Sequence, residues 1–304
     1  MNEPQDETGQ DALAEVFEDT RPHLRAVAYR LLGSVDDADD AVQSTWLKAS
    51  AADASAVQNQ PGWLTTITAR TCLDQLRARK RRGEVPEFSE LSEDDLARLR
   101  VDVLLDTPED EAVLVDEVGR AMLVVLDRLS PSQRVAYVLH DLFAVPFDEI
   151  APLLGRSTPA AKKLASRARE RLHGPAAPVR VINAEHLAVA EAFLGASRGG
   201  DLSELLALLS PDVVRRIDPL LVTDPAQVEL RGARQIAEGA QSLAHRVAIA
   251  AVLLVDGEPA IAIAPNGRLQ LIVRFTVKAG RIEVLEFIGD PRRLALMDLS
   301  LAFP

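Results

Sequence analysis

The hydrophobic pattern of the chain changes its period once. From residue 12 to residue 82, and again from residue 116 to residue 172, apolar residues recur about every 3.6 positions, the spacing of amphipathic helices. Beyond Leu209 they alternate with a period of two, as in half-buried strands, most clearly in Leu269, Leu271, Val273, Phe275 and Val277. A helix stripe and a strand face are buried in different kinds of layer, so this change predicts all-α domains followed by an α+β domain.

Length and composition agree with several soluble domains. The 304 residues are about twice the usual domain size, and 47% hydrophobic with 26% charged residues is an ordinary globular composition. The longest apolar run, Val247 to Val255, is far shorter than a membrane helix. The first 19 residues hold seven acids and no base, unlike a targeting peptide, which predicts a cytoplasmic protein without a membrane partner.

Charge is distributed unevenly along the chain. The net charge is −12, but residues 84–117 alone carry −11, whereas residues 118–174 carry +4. Two basic clusters flank the acidic segment: Arg77, Arg79, Lys80, Arg81, Arg82 before it, and Lys162, Lys163, Arg167, Arg169, Arg171 after it. Such clusters either contact phosphates or form solvated faces. The acidic segment itself is expected to be a linker that can screen a basic surface.

The first helical domain is predicted over residues 12–83, after an acidic tail at 1–11. Gly33 and Ser34 separate two helices as a C-cap and an N-cap, and Pro61 opens a third helix that ends in the first basic cluster. The single Cys72 has no partner for a disulfide or a metal site and is interpreted as a small buried residue. We expect neither a metal nor a cofactor.

A helix-turn-helix is predicted between Phe147 and Arg169, within a second domain at residues 118–174. Gly155 provides the turn, Ser157 or Thr158 the N-cap and Pro159 an early helical position. Ala161, Leu164, Ala165 and Ala168 lie on one face for packing, which leaves Lys162, Lys163, Ser166, Arg167 and Arg169 for a DNA groove or its phosphates. A plain helical hairpin is the alternative.

The third domain is predicted over residues 181–304, after a Pro and Ala linker at 175–180. Helices at 183–197 and 202–209 precede strands joined by turns at Asp256-Gly257, Asn266-Gly267 and Ala279-Gly280. This pattern predicts an antiparallel sheet with helices on one face. Its apolar interior is either filled core, which we favour, or a pocket for a small ligand.

Three motifs in this order resemble an extracytoplasmic-function sigma factor. They are Arg21-Pro22-His23-Leu24 through Ser34 with the Asp37 to Gln43 segment, Trp63-Leu64 with Arg70 and Asp74, and the helix-turn-helix. Residues 180–304 look like a SnoaL-like domain, a cone-shaped relative of the nuclear-transport-factor fold, which one group of these sigma factors carries. The Trp-Leu-Pro and Asp-Gly-Gly-Gly-Lys motifs of that group are missing, with Val85-Pro86-Glu87 and Asp218-Pro219 near their places, whereas the segment from Gly289 to Leu294 resembles the group's C-terminal motif.

The resemblance implies two partners, bacterial core RNA polymerase and promoter DNA, and no enzymatic activity. Asp37, Asp40 and Gln43 are then expected to bind the polymerase. Residues 49–82 are expected to handle the −10 element and the helix after Ser157 the −35 element, with the SnoaL-like domain as a regulator in cis. The expected DNA-binding residues are Arg70, Arg77, Arg79, Lys80, Arg81, Arg82, Ser157, Thr158, Lys162, Lys163, Ser166, Arg167 and Arg169.

Two other functions fit the sequence less well. One is a SnoaL-type isomerase or hydrolase fused to a DNA-binding module, for which Asp218, His186 and His245 are the candidate catalytic residues. They form no acid–base pair that spacing brings together, and Asp218 before Pro219 is more typical of a turn. The other is a sensor that binds a ligand without turnover and contacts DNA without polymerase.

Overall fold

A computed structural model of the protein describes residues 4–54, 57–82, 117–173, 183–222, 224–242 and 244–302. The predicted Pro and Ala linker, and the acidic linker up to residue 116, lie outside these residues. Contacts divide the chain into two units, Met1–Val85 with Leu129–Arg169, and Pro86–Arg128 with Glu170–Pro304. None of the helices in the described ranges combines the length and the hydropathy of a membrane-spanning segment.

The first unit is helical. Its elements are α1 (Pro4–Leu32), α2 (Val35–Ser50), α3 (Gln60–Arg81), α5 (Pro131–Tyr137) continued by a π-helical turn (Val138–Leu142), α6 (Phe147–Leu154) and most of α7 (Thr158–His173); the intervening α4 (Glu117–Asp127) belongs to the second unit. Helices α1, α2 and α3 pack against one another, and α5 and α6 pack against α3.

The junction of α1 and α2 forms as the sequence predicts. Gly33 has a φ of 81°, a left-handed conformation that ends α1 at little cost for glycine. The Ser34 hydroxyl accepts a hydrogen bond from the Asp37 amide at 3.4 Å and so caps α2. The core between these helices includes Leu24, Val27 and Leu31 of α1, all fully buried.

The helix-turn-helix prediction is confirmed. Gly155 has a φ of 65° and ends α6, and α7 begins at Thr158, so Ser157 is the residue that precedes the helix. Ala161, Ala165 and Ala168 are fully buried, as the packing face requires. The start of α5 is fixed by a capping box between Ser130 and Gln133, which the sequence analysis did not identify.

The second unit is an α+β domain. It contains α4, the last residues of α7, and helices α8 (Ala184–Gly199), α9 (Leu202–Leu208), α10 (Ala233–Ser242) and α11 (Pro291–Leu296). Its strands are β1 (Leu209–Ile217), β2 (Glu229–Arg231), β3 (Ala250–Val255), β4 (Glu258–Ile263), β5 (Leu271–Lys278), β6 (Arg281–Ile288) and β7 (Leu299–Ser300).

The seven strands form one sheet in the order β2-β1-β6-β5-β4-β3-β7. The predicted turns join β3 to β4, β4 to β5 and β5 to β6, and the two-residue turns Asp256-Gly257 and Ala279-Gly280 have positive φ throughout, the type I′ arrangement. The expectation of a purely antiparallel sheet is wrong, because β1 pairs in parallel with β6. β1 follows α9 directly and pairs with β6, a strand distant from it in sequence. Turn motifs predict only the pairing of strands that are consecutive in the chain.

Both faces of β3 are buried. Ala250 and Val252 belong to the main core, into which α8 also packs. Ala251 and Leu253 point the other way, because neighbouring strand residues face opposite sides, and they are equally buried. Helix α4 packs on β3, so this strand carries a helix that the sequence analysis assigned to the helix-turn-helix domain.

Hydrogen bonds to main-chain carbonyl oxygens connect the C-terminal segment with the ends of α4 and α7. The Arg128 guanidinium, after the end of α4, donates to the carbonyl oxygen of Leu294 at 2.9 Å, and Arg171 of α7 donates to the Arg128 carbonyl at 2.9 Å. The Leu301 amide donates to the Leu172 carbonyl, also at 2.9 Å. Burial lowers the pKa of Arg128. The end of α7 and the end of α4 are thus held by the same segment.

Candidate nucleic-acid interface and a cavity in the C-terminal sheet

Helix α2 presents one continuous exposed stripe. Asp36, Asp40, Gln43 and Leu47 are spaced four, three and four residues apart, which places them on one face of the helix. All four side chains are exposed, and Leu47, at 63%, is one of two large apolar residues that are exposed in the described part of the chain. The sequence analysis had singled out Asp40 and Gln43 of this stripe as expected polymerase contacts, but it gave no role to Leu47, which lies outside the apolar periodicity of the helix.

Asp37 has different surroundings from Asp40. Its carboxylate forms a salt bridge of 2.6 Å with Arg79 of α3, whose side chain is mostly buried. Arg79 also donates to the Leu32 carbonyl at the end of α1 at 3.4 Å. The two residues were expected to contact different partners, polymerase and DNA, but within this unit they contact each other.

Most side chains of the basic cluster at the end of α3 are exposed. Arg70, Arg77 and Arg81 lie on one exposed stripe that also contains Asp74, and Lys80 is exposed beside it. Arg82 follows the last residue of the helix and is exposed as well. The far side of α3 is held by threonines; the hydroxyls of Thr68 and Thr45 of α2 lie 3.0 Å apart, and Lys48 donates to Thr71 at 2.8 Å.

Helix α7 has one apolar and one basic face. Lys162, Lys163, Ser166 and Arg167 are exposed, opposite the buried alanines. Ser157 is exposed and Thr158 half-buried at the start of the helix. Arg169 differs from these residues because its guanidinium forms a salt bridge of 2.7 Å with Asp141. Of the residues of α7 predicted to face DNA, Arg169 is therefore the one whose charge is already paired within the unit.

Asp218 is fixed by its neighbours in the second unit. It is 9% exposed, accepts hydrogen bonds from the amides of Gly289 and Asp290 at 2.9 Å each, and forms an ion pair with Arg293. Gly289 is needed at this approach, since a Cβ there would lie 2.6 Å from a Leu221 methyl carbon. The segment that resembles the group's C-terminal motif thus holds this carboxylate, which leaves Asp218 poorly suited to act as a general base.

The other candidate catalytic residues do not join it. The imidazole of His186 on α8 is half-buried and lies 3.4 Å from the exposed carboxylate of Glu258 on β4. The side chain of His245 lies outside the described residues. Among the residues described, no group of histidine, cysteine, aspartate or glutamate side chains could hold a metal ion.

A cavity of about 160 Å³ lies between the sheet and helices α8 and α10. Its lining is largely apolar and includes Phe193, Ile261, Leu271 and Phe287. The preference for a filled core in this region is therefore wrong, because the residue types that would pack a core here leave space between the layers. Among the described residues, Ser197 of α8 and Arg215 of β1 are the polar side chains that line it, and burial lowers the pKa of Arg215.

Cys72 is buried between the helices of the first unit, as the sequence predicts. Burial raises the pKa of its thiol to about 12. It therefore stays protonated and belongs to the core.

Comparison with known proteins supplies the family. The family model for Sigma-70 region 2 matches residues 16–82 and the model for Sigma-70 region 4 matches residues 119–172. A probable ECF RNA polymerase sigma factor SigI of Mycobacterium tuberculosis is 31% identical over 288 residues, which cover 93% of this chain and 95% of the relative.

A second relative is the ECF RNA polymerase sigma factor SigJ of the same organism. It is 41% identical over 198 residues, which cover 65% of this chain and 62% of SigJ. The crystal structure of Mycobacterium tuberculosis SigJ is 32% identical and covers 93% of this chain and 98% of that chain, with a TM-score of 0.41.

Proposed function

Since the chain belongs to the extracytoplasmic-function (ECF) RNA polymerase sigma factors, we propose that α2 binds core polymerase, α3 and the residues after it engage the −10 element, and α7 reads the −35 element. The chain is thus a sigma factor that directs transcription initiation. The observation that best supports these assignments is the exposed face of α7. This face is basic, and it lies opposite the buried alanine face of the same helix.

The polymerase contact is assigned to the exposed stripe of α2. Asp40 and Gln43 offer a carboxylate and an amide, and Leu47 adds an apolar contact at the end of the stripe. An exposed apolar side chain beside polar ones is a common feature of protein interfaces. Asp37 acts as a positioning residue, because its salt bridge with Arg79 fixes α2 against α3.

The contacts to the −35 element are assigned to Ser157, Thr158, Lys162, Lys163, Ser166 and Arg167 at the exposed face of α7. Lysine and arginine can pair with phosphates or base edges, and the N-terminal part of a recognition helix is the part that enters the major groove. Arg169 orients the helix through Asp141 and contacts DNA only if that salt bridge opens.

The −10 contacts are assigned to Arg70, Arg77, Lys80, Arg81 and Arg82. Arg70, Arg77 and Arg81 share one exposed stripe of α3, with Lys80 beside it and Arg82 after the helix, and these positive charges can neutralise phosphates of the promoter. Arg79 stays with Asp37 and supports this surface from behind.

The C-terminal domain is proposed to regulate these contacts in cis. The segment around Leu294 and Leu301 holds Arg128 after α4 and Leu172 in the last turn of α7. A change in this domain can therefore reach the helix that reads the −35 element. We infer domain limits of 12–83, 118–174 and 181–304. Helix α4 lies within the sequence limits of the second domain but packs on the sheet of the third.

No covalent chemistry is assigned to the chain. Asp218 accepts three donors and serves the fold, which argues against the SnoaL-type enzyme as an alternative. A sigma factor works where the chromosome is transcribed, so we expect the protein in the cytoplasm.

The test is binding of the full chain to bacterial core RNA polymerase, followed by run-off transcription from a promoter library. We expect a stable complex that initiates at a defined subset of promoters, from which the −10 and −35 motifs follow. An Arg128→Met protein should initiate at the same promoters with altered yield, because the substitution removes the hydrogen bond from Arg128 to the Leu294 carbonyl and leaves the proposed DNA contacts in place. Failure to bind polymerase would overturn the proposal.

A further inference from the structure

The cavity between the sheet and helices α8 and α10 is large for a domain core. Protein interiors contain few voids bigger than a water molecule. This one measures about 160 Å³, and an apolar cavity of about 150 Å³ stays dry and binds benzene. The space is therefore sufficient for one small ring or a short alkyl chain.

Two polar groups in the lining have no hydrogen-bond partner among the described residues. The Ser197 hydroxyl is one, on a side chain that is 2% exposed, and the ε N–H of Arg215 is the other. Buried polar atoms in proteins almost always find a partner, so two orphans at one cavity point to an absent molecule. Arg215 is held in place from the other side, because its terminal nitrogen donates to the Gln227 carbonyl at 2.7 Å.

The neighbouring arginine shows what Arg215 lacks. Arg216 points to the opposite face of β1, is exposed and forms an ion pair of 3.2 Å with Glu229. No carboxylate in the described part of the chain forms an ion pair with Arg215, and burial is the sole cause of its lowered pKa. A guanidinium remains charged in such surroundings, so an anion is the partner that compensates its burial.

We propose that this cavity binds a small amphipathic monocarboxylate. The apolar body lies among Phe193, Ile261, Leu271 and Phe287, and the carboxylate accepts hydrogen bonds from Arg215 and Ser197. Planar carboxylates match the donor geometry of arginine. Sugars and nucleotides are excluded, because an apolar lining with so few polar side chains leaves most of their hydroxyl or phosphate groups without partners.

The ligand has a route to the regulatory contacts, a step that rests on the proposed regulation in cis. Ile261 and Ile263 of β4 line the cavity, and β4 pairs along its length with β3, on which α4 packs. Occupancy of the cavity therefore acts one strand away from α4.

The test is isothermal titration calorimetry of the full chain with benzoate and with hexanoate, using benzyl alcohol as the neutral analogue. We expect at least one acid to bind, and benzyl alcohol to bind about tenfold more weakly than benzoate. Arg215→Met should weaken acid binding by about tenfold or more and leave benzyl alcohol unaffected. Ser197→Ala should weaken it by about threefold.

Arg216→Met is the matched control. It removes the same charge from the adjacent residue of β1, on the other face, and should change the affinity by less than about twofold. Circular dichroism verifies that each variant is folded; if Arg215→Met does not fold, Ser197→Ala and the comparison with benzyl alcohol decide.

The proposal is overturned if neither acid binds, if Arg215→Met binds both as well as the unchanged protein does, or if benzyl alcohol equals benzoate. Because the titration uses neither polymerase nor DNA, a negative result leaves the sigma factor function intact. Conversely, a chain that binds benzoate but not core polymerase would contradict the proposed function alone.

Discussion

Asp37 of α2 and Arg79 of α3 form a salt bridge of 2.6 Å that joins two helices of the first unit. Arg79 is the more buried partner and also donates to the end of α1, so a single guanidinium connects all three helices. The sequence analysis expected Asp37 to contact polymerase and Arg79 to contact DNA. In the fold, the two side chains pair with each other and stabilise the packing of the helices. Asp40 and Lys80, beside them, are exposed.

The two aspartates of α2 should therefore behave differently. Asp37→Asn should lower the free energy of unfolding by about 1 kcal/mol, because a partly buried salt bridge is lost. Asp40→Asn should change it by less than about 0.5 kcal/mol, since this side chain is exposed, but should weaken binding to core polymerase. Urea unfolding and a polymerase binding assay measure the two effects. The reverse pattern would contradict the assignment.

Leu47 should matter for polymerase and not for folding. Leu47→Ser removes an exposed apolar side chain and should reduce the affinity for core polymerase about tenfold while leaving the unfolding transition in place. Leu296→Ser is the matched control, because Leu296 is 87% exposed on α11, outside the α2 stripe. Surface plasmon resonance with immobilised polymerase compares them, and equal losses from both variants would remove Leu47 from the interface.

The basic face of α7 should determine promoter output. Lys163→Ala and Arg167→Ala should each lower transcription from the selected promoters, and each phosphate contact removed should reduce the salt dependence of holoenzyme binding by about one unit of slope. Arg234→Ala removes the same charge from an exposed residue of α10 that pairs with Glu238 and should have no effect. Run-off transcription at several salt concentrations provides the comparison. Unchanged slopes for both α7 variants would exclude phosphate contacts there.

Asp218 should be needed for stability and not for turnover. Asp218→Ala leaves the amides of Gly289 and Asp290 without their acceptor and Arg293 with Glu286 as its one remaining carboxylate partner among the described residues, which should cost about 3 kcal/mol and lower the calorimetric melting temperature of the C-terminal domain. Asp212→Ala, at an exposed position of β1, the strand that ends just before Asp218, should shift the melting temperature very little. A melting temperature for Asp218→Ala equal to that of the unchanged protein would mean that the carboxylate does not support the fold.

The thiol of Cys72 should not react in the folded protein. With a pKa raised to about 12 by burial, it holds almost no thiolate at pH 8, and it is also shielded from reagents. Iodoacetamide should leave the native chain unmodified by mass spectrometry and alkylate it once in urea. Rapid labelling under native conditions would show that the packing of α3 opens.

Local signals predicted the local structure well. Gly155, Ser157 and Pro159 predicted the helix-turn-helix, and Asp256-Gly257 predicted a two-residue hairpin, because backbone conformation at such points depends on the residues themselves. Helices α8 and α9 form within two residues of their predicted limits. The exposed residues of α7 follow directly from its alanine periodicity.

Contacts between distant residues were not predictable in the same way. Nothing in the sequence of β1 indicates that it pairs in parallel with β6, and nothing in α4 indicates that its apolar face meets β3. The salt bridge of Asp37 with Arg79 links two helices whose relative rotation the periodicity leaves open. The cavity was missed because residue types report that a region is apolar, but not whether its side chains fill the available volume.

The packing of α4 on β3 limits how a gene of this kind can evolve. The match to Sigma-70 region 4 begins at residue 119, inside α4, yet Leu123, Val125 and Leu126 are buried in the unit that contains the sheet. A stop codon after residue 174 would remove the sheet and uncover the face of α4 that packs on β3, and an exposed apolar face of this kind would promote aggregation. A chain could lose the C-terminal domain only if polar residues replaced the apolar face of α4 at the same time. Lineages that have acquired this arrangement are therefore expected to keep it.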